Sequence, residues 1–451
     1  MPLQKTRRRV YDHHESDNTL IVEDASVWTP QGLRRNDILI QGSRISKVAK
    51  RIESSAETRV KASGLLAIPG LVDAHVHLRD LELSRKEDFT TGTAAAAAGG
   101  FTTVLDMPNT MPATDSAERL REKQASATDK IHVNVGFHVA AVRSEQSIND
   151  IAEGGAFSLK LYMPRPISPL KMRSDPELLG IMHVSSRVGL PITVHAEDAE
   201  RFLGNHADDF LQMARTRPPE SEDKAVQHLL RLQEQSRCPV HFCHVTLASS
   251  LERINACKSE AVTSEVTPHH LLLSEKSLLP LRWKAWTVPP LRAEALRRGL
   301  YRATMRGQAT LMASDHAPHL IKEKRVQPSE SLPGVPGLET TLQLLLTQMN
   351  KGLFTLARIV EMLATSPCRV FGLRGKGKIE PGADADITLV DVKKKSKIDS
   401  TRFFSKAKYS PFDGIHTRGK VHSTIVRGNI VFEDDSIIRG PGSGSILKRN
   451  A

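Results

Sequence analysis

The stretch Val72-Asp73-Ala74-His75-Val76-His77-Leu78-Arg79-Asp80 puts two imidazoles two residues apart, just after the apolar run Leu65-Leu66-Ala67-Ile68-Pro69-Gly70-Leu71. An apolar run broken by Pro-Gly reads as a short buried strand ending in a polar loop. Alternate residues of a strand share a face, so Asp73, His75, His77 and Arg79 are expected on one side and Ala74, Val76 and Leu78 on the other. Two imidazoles on one face can share a metal ion. Alone, the pair could equally be two unrelated histidines, and the decision rests on whether other strands end in ligands of the right type.

They do. Thr193-Val194-His195-Ala196-Glu197, His241-Phe242-Cys243-His244 and Ala313-Ser314-Asp315-His316-Ala317-Pro318-His319 each close an apolar run, and Phe157-Ser158-Leu159-Lys160-Leu161-Tyr162 sets a lysine in an otherwise apolar strand. Imidazole nitrogens with carboxylate oxygens suit Zn²⁺, and two ions about 3.5 to 4 Å apart need a shared anion. A protonated lysine cannot bridge cations. Lys160 that has reacted with CO₂ would carry a carbamate, with two oxygens and a negative charge, and would escape the cost of a buried ammonium. His132, His138, His241, His269 and His270 are expected to be structural, and His316 receives no role.

These residues need a frame that brings strand ends together. The middle of the chain, 70–371, alternates short apolar runs with helical stretches, which implies βα units around a parallel sheet. Eight strands are expected, at 70–78, 101–107, 131–139, 157–163, 191–195, 239–245, 261–267 and 309–314. That number fits a (β/α)8 barrel, whose chemistry sits at the carboxyl ends of its strands. The alanine-rich segment 90–100 reads as a closely packed first helix stopped by Gly99-Gly100. Residues 19–69 and 372–437 carry all-β patterning, so the two ends are expected to combine into one small composite β-sandwich. A basic tail (1–18) and a C-terminal tail (438–451) complete the division.

At 451 residues the chain has room for a large domain and a smaller companion. No apolar stretch approaches the roughly 20 residues of a membrane span, and the N-terminus lacks an apolar leader core. The expectation is a cytoplasmic protein without a membrane partner. Its four cysteines, Cys238, Cys243, Cys257 and Cys368, show no Cys-x-x-Cys spacing and are expected to be reduced. The net charge of +12 is spread along the chain, clustering only at Thr6-Arg7-Arg8-Arg9 and Lys393-Lys394-Lys395, and only 4% of residues are aromatic. A nucleic-acid partner is therefore not expected.

The motifs resemble those of the cyclic amidohydrolases and, within them, the type I and archaeal dihydroorotases. The matching segments are Pro69 to Asp80, Asp106-Met107-Pro108-Asn109-Thr110, Ser158 to Tyr162, Val194 to Glu197, Cys243-His244-Val245, Ser314 to His319 and Ser410-Pro411-Phe412-Asp413-Gly414. The resemblance spans about residues 19–437. It implies that His75, His77 and Asp315 hold one zinc ion, that His195 and His244 hold a second, and that carboxylated Lys160 bridges them. It further implies that Arg79, Asn109 and His319 grip the carboxylate and ring of a small cyclic amide, with Asp315 moving the proton. Leu332 to Leu338, including Pro336 and Gly337, is expected either to face the substrate or to be a plain connection. Two positions differ from bacterial type I enzymes: Leu81-Glu82 where Pro-Gly is common, and Val288 where an Asn precedes Pro-Pro-Leu-Arg. A hydantoinase or allantoinase, and a metal-free scaffold homologue, are the alternatives. The resemblance leaves open a dimer or tetramer and association with other pyrimidine-pathway enzymes.

Overall fold

The computed structural model describes residues 19–164, 174–204 and 207–449. The basic cluster at Thr6 to Arg9, and the tail that contains it, lie outside them.

Both chain ends enter one nine-stranded mixed sheet. Thr19–Thr29 lies beside Gly32–Gln41 and then Arg44–Ala49; on its other side follow Leu66–Pro69, Ile387–Lys397, His416–Val426, Asn429–Glu433 and Ser436–Ile437, while Thr58–Lys61 also pairs with the first strand. The seam between the ends is antiparallel, Leu66 opposite Val390 and Pro69 opposite Ile387. Leu20, Val22, Val27, Ile38 and Ile40 share a core with Ala385, Ile387, Leu389 and Ile425, which gives the expected composite sandwich. The strand Thr19–Thr29 carries a bulge between Val22 and Ala25. Lys393, Lys394 and Lys395 are solvated on the strand Ile387–Lys397.

Between the ends, parallel strands build the barrel: Leu71–Val76, Phe101–Asp106, Asn134–Phe137 continued by Val139–Ala140, Leu159–Tyr162, Ile192–His195, Val240–Phe242, Val262–Val266 and Leu311–Met312. Each falls within a segment expected from the apolar pattern except the third, which runs one residue past its expected end at Val139. The third is interrupted at His138, whose ring bonds Ser158 Oγ and, at 3.1 Å, the Ala74 carbonyl. Closure runs through the first and eighth strands, where His77 N–H donates to His316 O at 2.8 Å.

The first helix, Phe89–Ala98, starts at a capping box in which Asp88 accepts from Thr91 N–H and Thr91 Oγ1 accepts from Asp88 N–H. Its alanines Ala94 to Ala97 are buried, and a Cβ on Gly99 would lie 2.2 Å from Leu338 O, so this helix end meets the start of helix Leu338–Asn350 at backbone distance. Residues 442–449 pair along the third barrel strand through Val135 N–H to Ser445 O and Leu447 N–H to Val135 O. Leu447 packs there with Val72, Leu105 and Phe371. Among the described residues no helix is long and apolar enough to cross a membrane.

Candidate metal centre

His75, His195 and His244 are each at most 3% exposed, and Lys160 4%. The rings of His75 and His77, and of His75 and His244, lie 5.3 Å apart by centroid, and those of His195 and His244 4.5 Å. Asp315 Oδ1 lies 3.2 Å from His77 Nε2 and 3.4 Å from His75 Nε2. Five of the expected ligands thus meet at one barrel mouth. Lys160 points into the same space: its charge depresses the proton affinity of His75, His77, His195, His244 and Asp315 alike.

The simple alternation expected for the first strand does not hold. A register shift falls between Asp73 and Val76, and Ala74 packs with Phe371 while Val76 and Leu78 join the main core. Beyond Val76 the chain leaves the strand, and Arg79, Asp80 and Leu81 take left-handed conformations with φ of 61°, 49° and 49°. Arg79 is therefore aimed by a strained loop and not by a strand face. His244 and Asp315 have φ of 34° and 47°, so two further site residues sit in the same sparsely populated region.

What fixes the imidazoles lies behind them. His75 Nδ1 donates to Glu265 Oε1, and His77 Nδ1 donates to Asn109 Oδ1 at 2.6 Å. His195 Nε2 donates to Glu197 Oε2 at 2.6 Å, and Glu197 also accepts from Arg217. Each bond spends the ring's one proton and leaves the opposite nitrogen bare. Burial holds all four imidazoles below the usual histidine range, His195 at about 4. Bare nitrogens beside a carboxylate oxygen make no hydrogen bond, and the bare His195 Nδ1 lies 3.0 Å from His244 Nε2, whose own Nδ1 is buried without a partner among the described residues. Lone pairs converging on an anion are an arrangement that a cation satisfies. The donor set therefore fits metal ions, and His75, His77 and Asp315 have ligand atoms within 4.8 Å of one another. A second trio, His75, Cys243 and Glu265, meets the same criterion, but Glu265 already accepts from His75 Nδ1, His241 Nε2 and His244 N–H.

Glu265 and Glu197 are the site residues whose part the residue pattern did not disclose. The signal was present in Val262-Thr263-Ser264-Glu265-Val266, a charge in an otherwise uncharged buried strand, as it was for Lys160. Glu265→Gln retains shape but cannot accept from His75, His241 and His244 N–H together. It is expected to weaken metal binding by about 10- to 100-fold with the fold intact, read by competition with a chelator; unchanged affinity would show that Glu265 does not orient the cage.

The residues expected to grip substrate line one side of the mouth. Arg79 is 6% exposed; its Nε donates to Pro318 O at 3.3 Å and its Nη2 lies 3.2 Å from His319 Nε2. His319 is engaged at both nitrogens, Nε2 with Pro333 O at 3.0 Å and Nδ1 with Lys86 Nζ at 3.3 Å. Asn109 uses its carbonyl on His77 and keeps its NH₂ for another acceptor. Pro336 and Gly337 are buried, and Gly337 N–H donates to His316 Nδ1 at 3.2 Å. His138, His241 and His270 are bonded inside the protein as expected, to Ser158, Thr263 and Thr267 among others.

A closed (β/α)8 barrel with a histidine, aspartate and lysine cage at its carboxyl mouth defines the class: the chain belongs to the amidohydrolase family, whose sequence profile matches residues 66–431. Among its relatives is a protein of Methanothermobacter thermautotrophicus named dihydroorotase, 38% identical over 420 residues, 90% of this chain and 93% of the relative. A Pyrococcus furiosus protein with the same name is 34% identical over 416 residues, 91% of this chain and 92% of the relative. Among solved structures the L-hydantoinase (dihydropyrimidinase) of Arthrobacter aurescens superposes with a TM-score of 0.91 at 28% identity, covering 95% of this chain and 99% of that one.

Proposed function

We propose that the protein is a dihydroorotase that interconverts dihydroorotate and N-carbamoyl-aspartate by hydrolysis and closure of a cyclic amide. The observation that carries this reading is Arg79, a buried guanidinium beside the histidine cage with no carboxylate at ion-pair distance among the described residues. A planar cation held this way calls for an anionic substrate group, and a carboxylate matches its fork. Relatives named dihydroorotase over most of the chain support it.

His75, His77 and Asp315 would hold one zinc ion and His195 and His244 the other. Among the described residues the second pair has no free carboxylate of its own, since Glu197 is bonded to His195 and Arg217. A carboxylated Lys160 supplies the missing anion and joins the two halves. Metal ions bound there would make water nucleophilic near neutral pH and polarise the attacked carbonyl. Arg79 binds the substrate carboxylate, and the Asn109 NH₂ is available to the ring. Asp315 accepts the water proton through its carboxylate and returns it to the ring nitrogen as the amide bond breaks. Closure reverses these transfers.

Arg79→Ala is expected to raise KM for dihydroorotate by roughly 10- to 100-fold, the worth of a charge-assisted contact, with a smaller change in kcat. A variant that binds dihydroorotate normally would remove the reason for preferring a carboxylate substrate. The structural likeness to hydantoinases makes a neutral cyclic amide the second reading. Assays with dihydroorotate, hydantoin and allantoin separate the two, and turnover of the neutral amides alone would overturn the first.

A further inference from the structure

Lys324 ends the short helix Ile321–Lys324 that follows the eighth strand, and it is fully buried. Among the described residues it faces no carboxylate at ion-pair distance. Its Nζ donates instead to three backbone carbonyls, Trp286 O at 3.2 Å, Leu332 O at 3.0 Å and Gly334 O at 2.6 Å, and lies 5.7 Å from the centre of the Tyr409 ring. Three acceptors match the three N–H groups of an ammonium. Burial pushes the amine down to about 7, and the carbonyl oxygens with the ring face are what hold its proton. An apolar side chain of equal length would leave the Leu332 and Gly334 carbonyls without a donor and Trp286 O with Gly334 N–H alone.

Two of those carbonyls belong to the loop 332–337, which walls the metal mouth. Pro333 O accepts from His319 Nε2, Val335 O accepts from Ala317 N–H at 2.9 Å, and Gly337 N–H reaches His316. The loop is seated without slack: Gly334 has φ 138°, and a Cβ there would lie 2.4 Å from Ala317 O. The third carbonyl, Trp286 O, also accepts from Gly334 N–H at 2.9 Å. Tyr409, whose ring covers Lys324, accepts through its hydroxyl from His319 N–H at 3.3 Å.

We infer that Lys324 is a positioning residue whose ammonium clamps loop 332–337 and the Trp286 segment against His316 to His319, and so sets where the loop meets the substrate. The substrate used to test it rests on the dihydroorotase reading, whereas the clamp does not.

The test compares Lys324→Met, which keeps bulk alone, with Lys324→Gln, which keeps a shorter two-donor head, in the full metal-loaded chain. Hydrogen exchange at the amides of Gly334, Val335 and Gly337 is expected to speed up at least about tenfold in the Met variant and less in the Gln variant, with the barrel strands unchanged. KM for dihydroorotate should rise in the same order while kcat moves less than about threefold and metal content stays at the parent value. Should the Met variant fail to fold, the Gln variant carries the comparison. Exchange and KM unchanged in the folded variants would overturn the clamp, and so would loss of metal in step with KM, because Lys324 would then act on the cage. If the parent protein does not turn over dihydroorotate, the functional reading falls while the exchange result still decides the clamp.

Discussion

Asp315→Asn is expected to lower kcat by at least about 10³-fold while the protein stays folded. General acid–base catalysis by one positioned group contributes about 10² to 10⁴, and this substitution also removes a negative charge from the metal mouth. The fold should tolerate it for two reasons. Asn accepts the left-handed conformation at φ 47° as readily as Asp, and its NH₂ can donate to the bare Nε2 of His77 or His75, which stand 3.2 and 3.4 Å from Oδ1. Steady-state kinetics beside a thermal melt check both halves. A folded variant within tenfold of the parent kcat would take the proton transfer away from Asp315.

Lys160→Ala is expected to cost both metal and activity. Lys160 is buried, and its one near polar partner among the described residues is Cys243 Sγ at 3.0 Å. An ammonium held so poorly is expensive. A free amine that took up CO₂ with loss of a proton would become an anion whose two oxygens could serve two cations. Removing it should drop metal content well below that of the parent and kcat by about 10³-fold or more. Adding a short carboxylic acid, which can enter the space left by the side chain, should restore part of both. Full metal content in the variant would mean that the two halves of the cage need no bridge from Lys160.

Much of this was legible in the residues because barrel strands announce themselves as short apolar runs, and each of the eight coincides with its expected segment, the third overrunning it by one residue. Site residues at the strand ends were legible for the same reason: His75, His195, His244 and Asp315 are polar where the pattern calls for apolar. Asp73 is another such residue; burial pushes its carboxyl up to about 7, and it accepts from Ser314 N–H at the seam between the first and eighth strands. Less legible were features that depend on partners far apart in sequence. Glu265 lies 190 residues from the His75 it orients, and Arg217 lies 20 from the Glu197 it charges. Loop conformation was hidden as well: alternation predicts where Arg79 points only if the strand continues, and the left-handed turn at residues 79–81 ends it. The C-terminal segment had no periodicity to read, since Gly442 and Gly444 contribute backbone donors to Ile131 O and not side chains to a core.

The most direct measurement is turnover of dihydroorotate and of N-carbamoyl-aspartate by the purified protein, with metal content determined on the same sample. Conversion in both directions with about two ions bound per chain, both lost together on chelation, is the predicted result. Turnover that persists in protein stripped of metal, or a chain that retains no metal at all, would contradict a cage built from the ends of separate barrel strands.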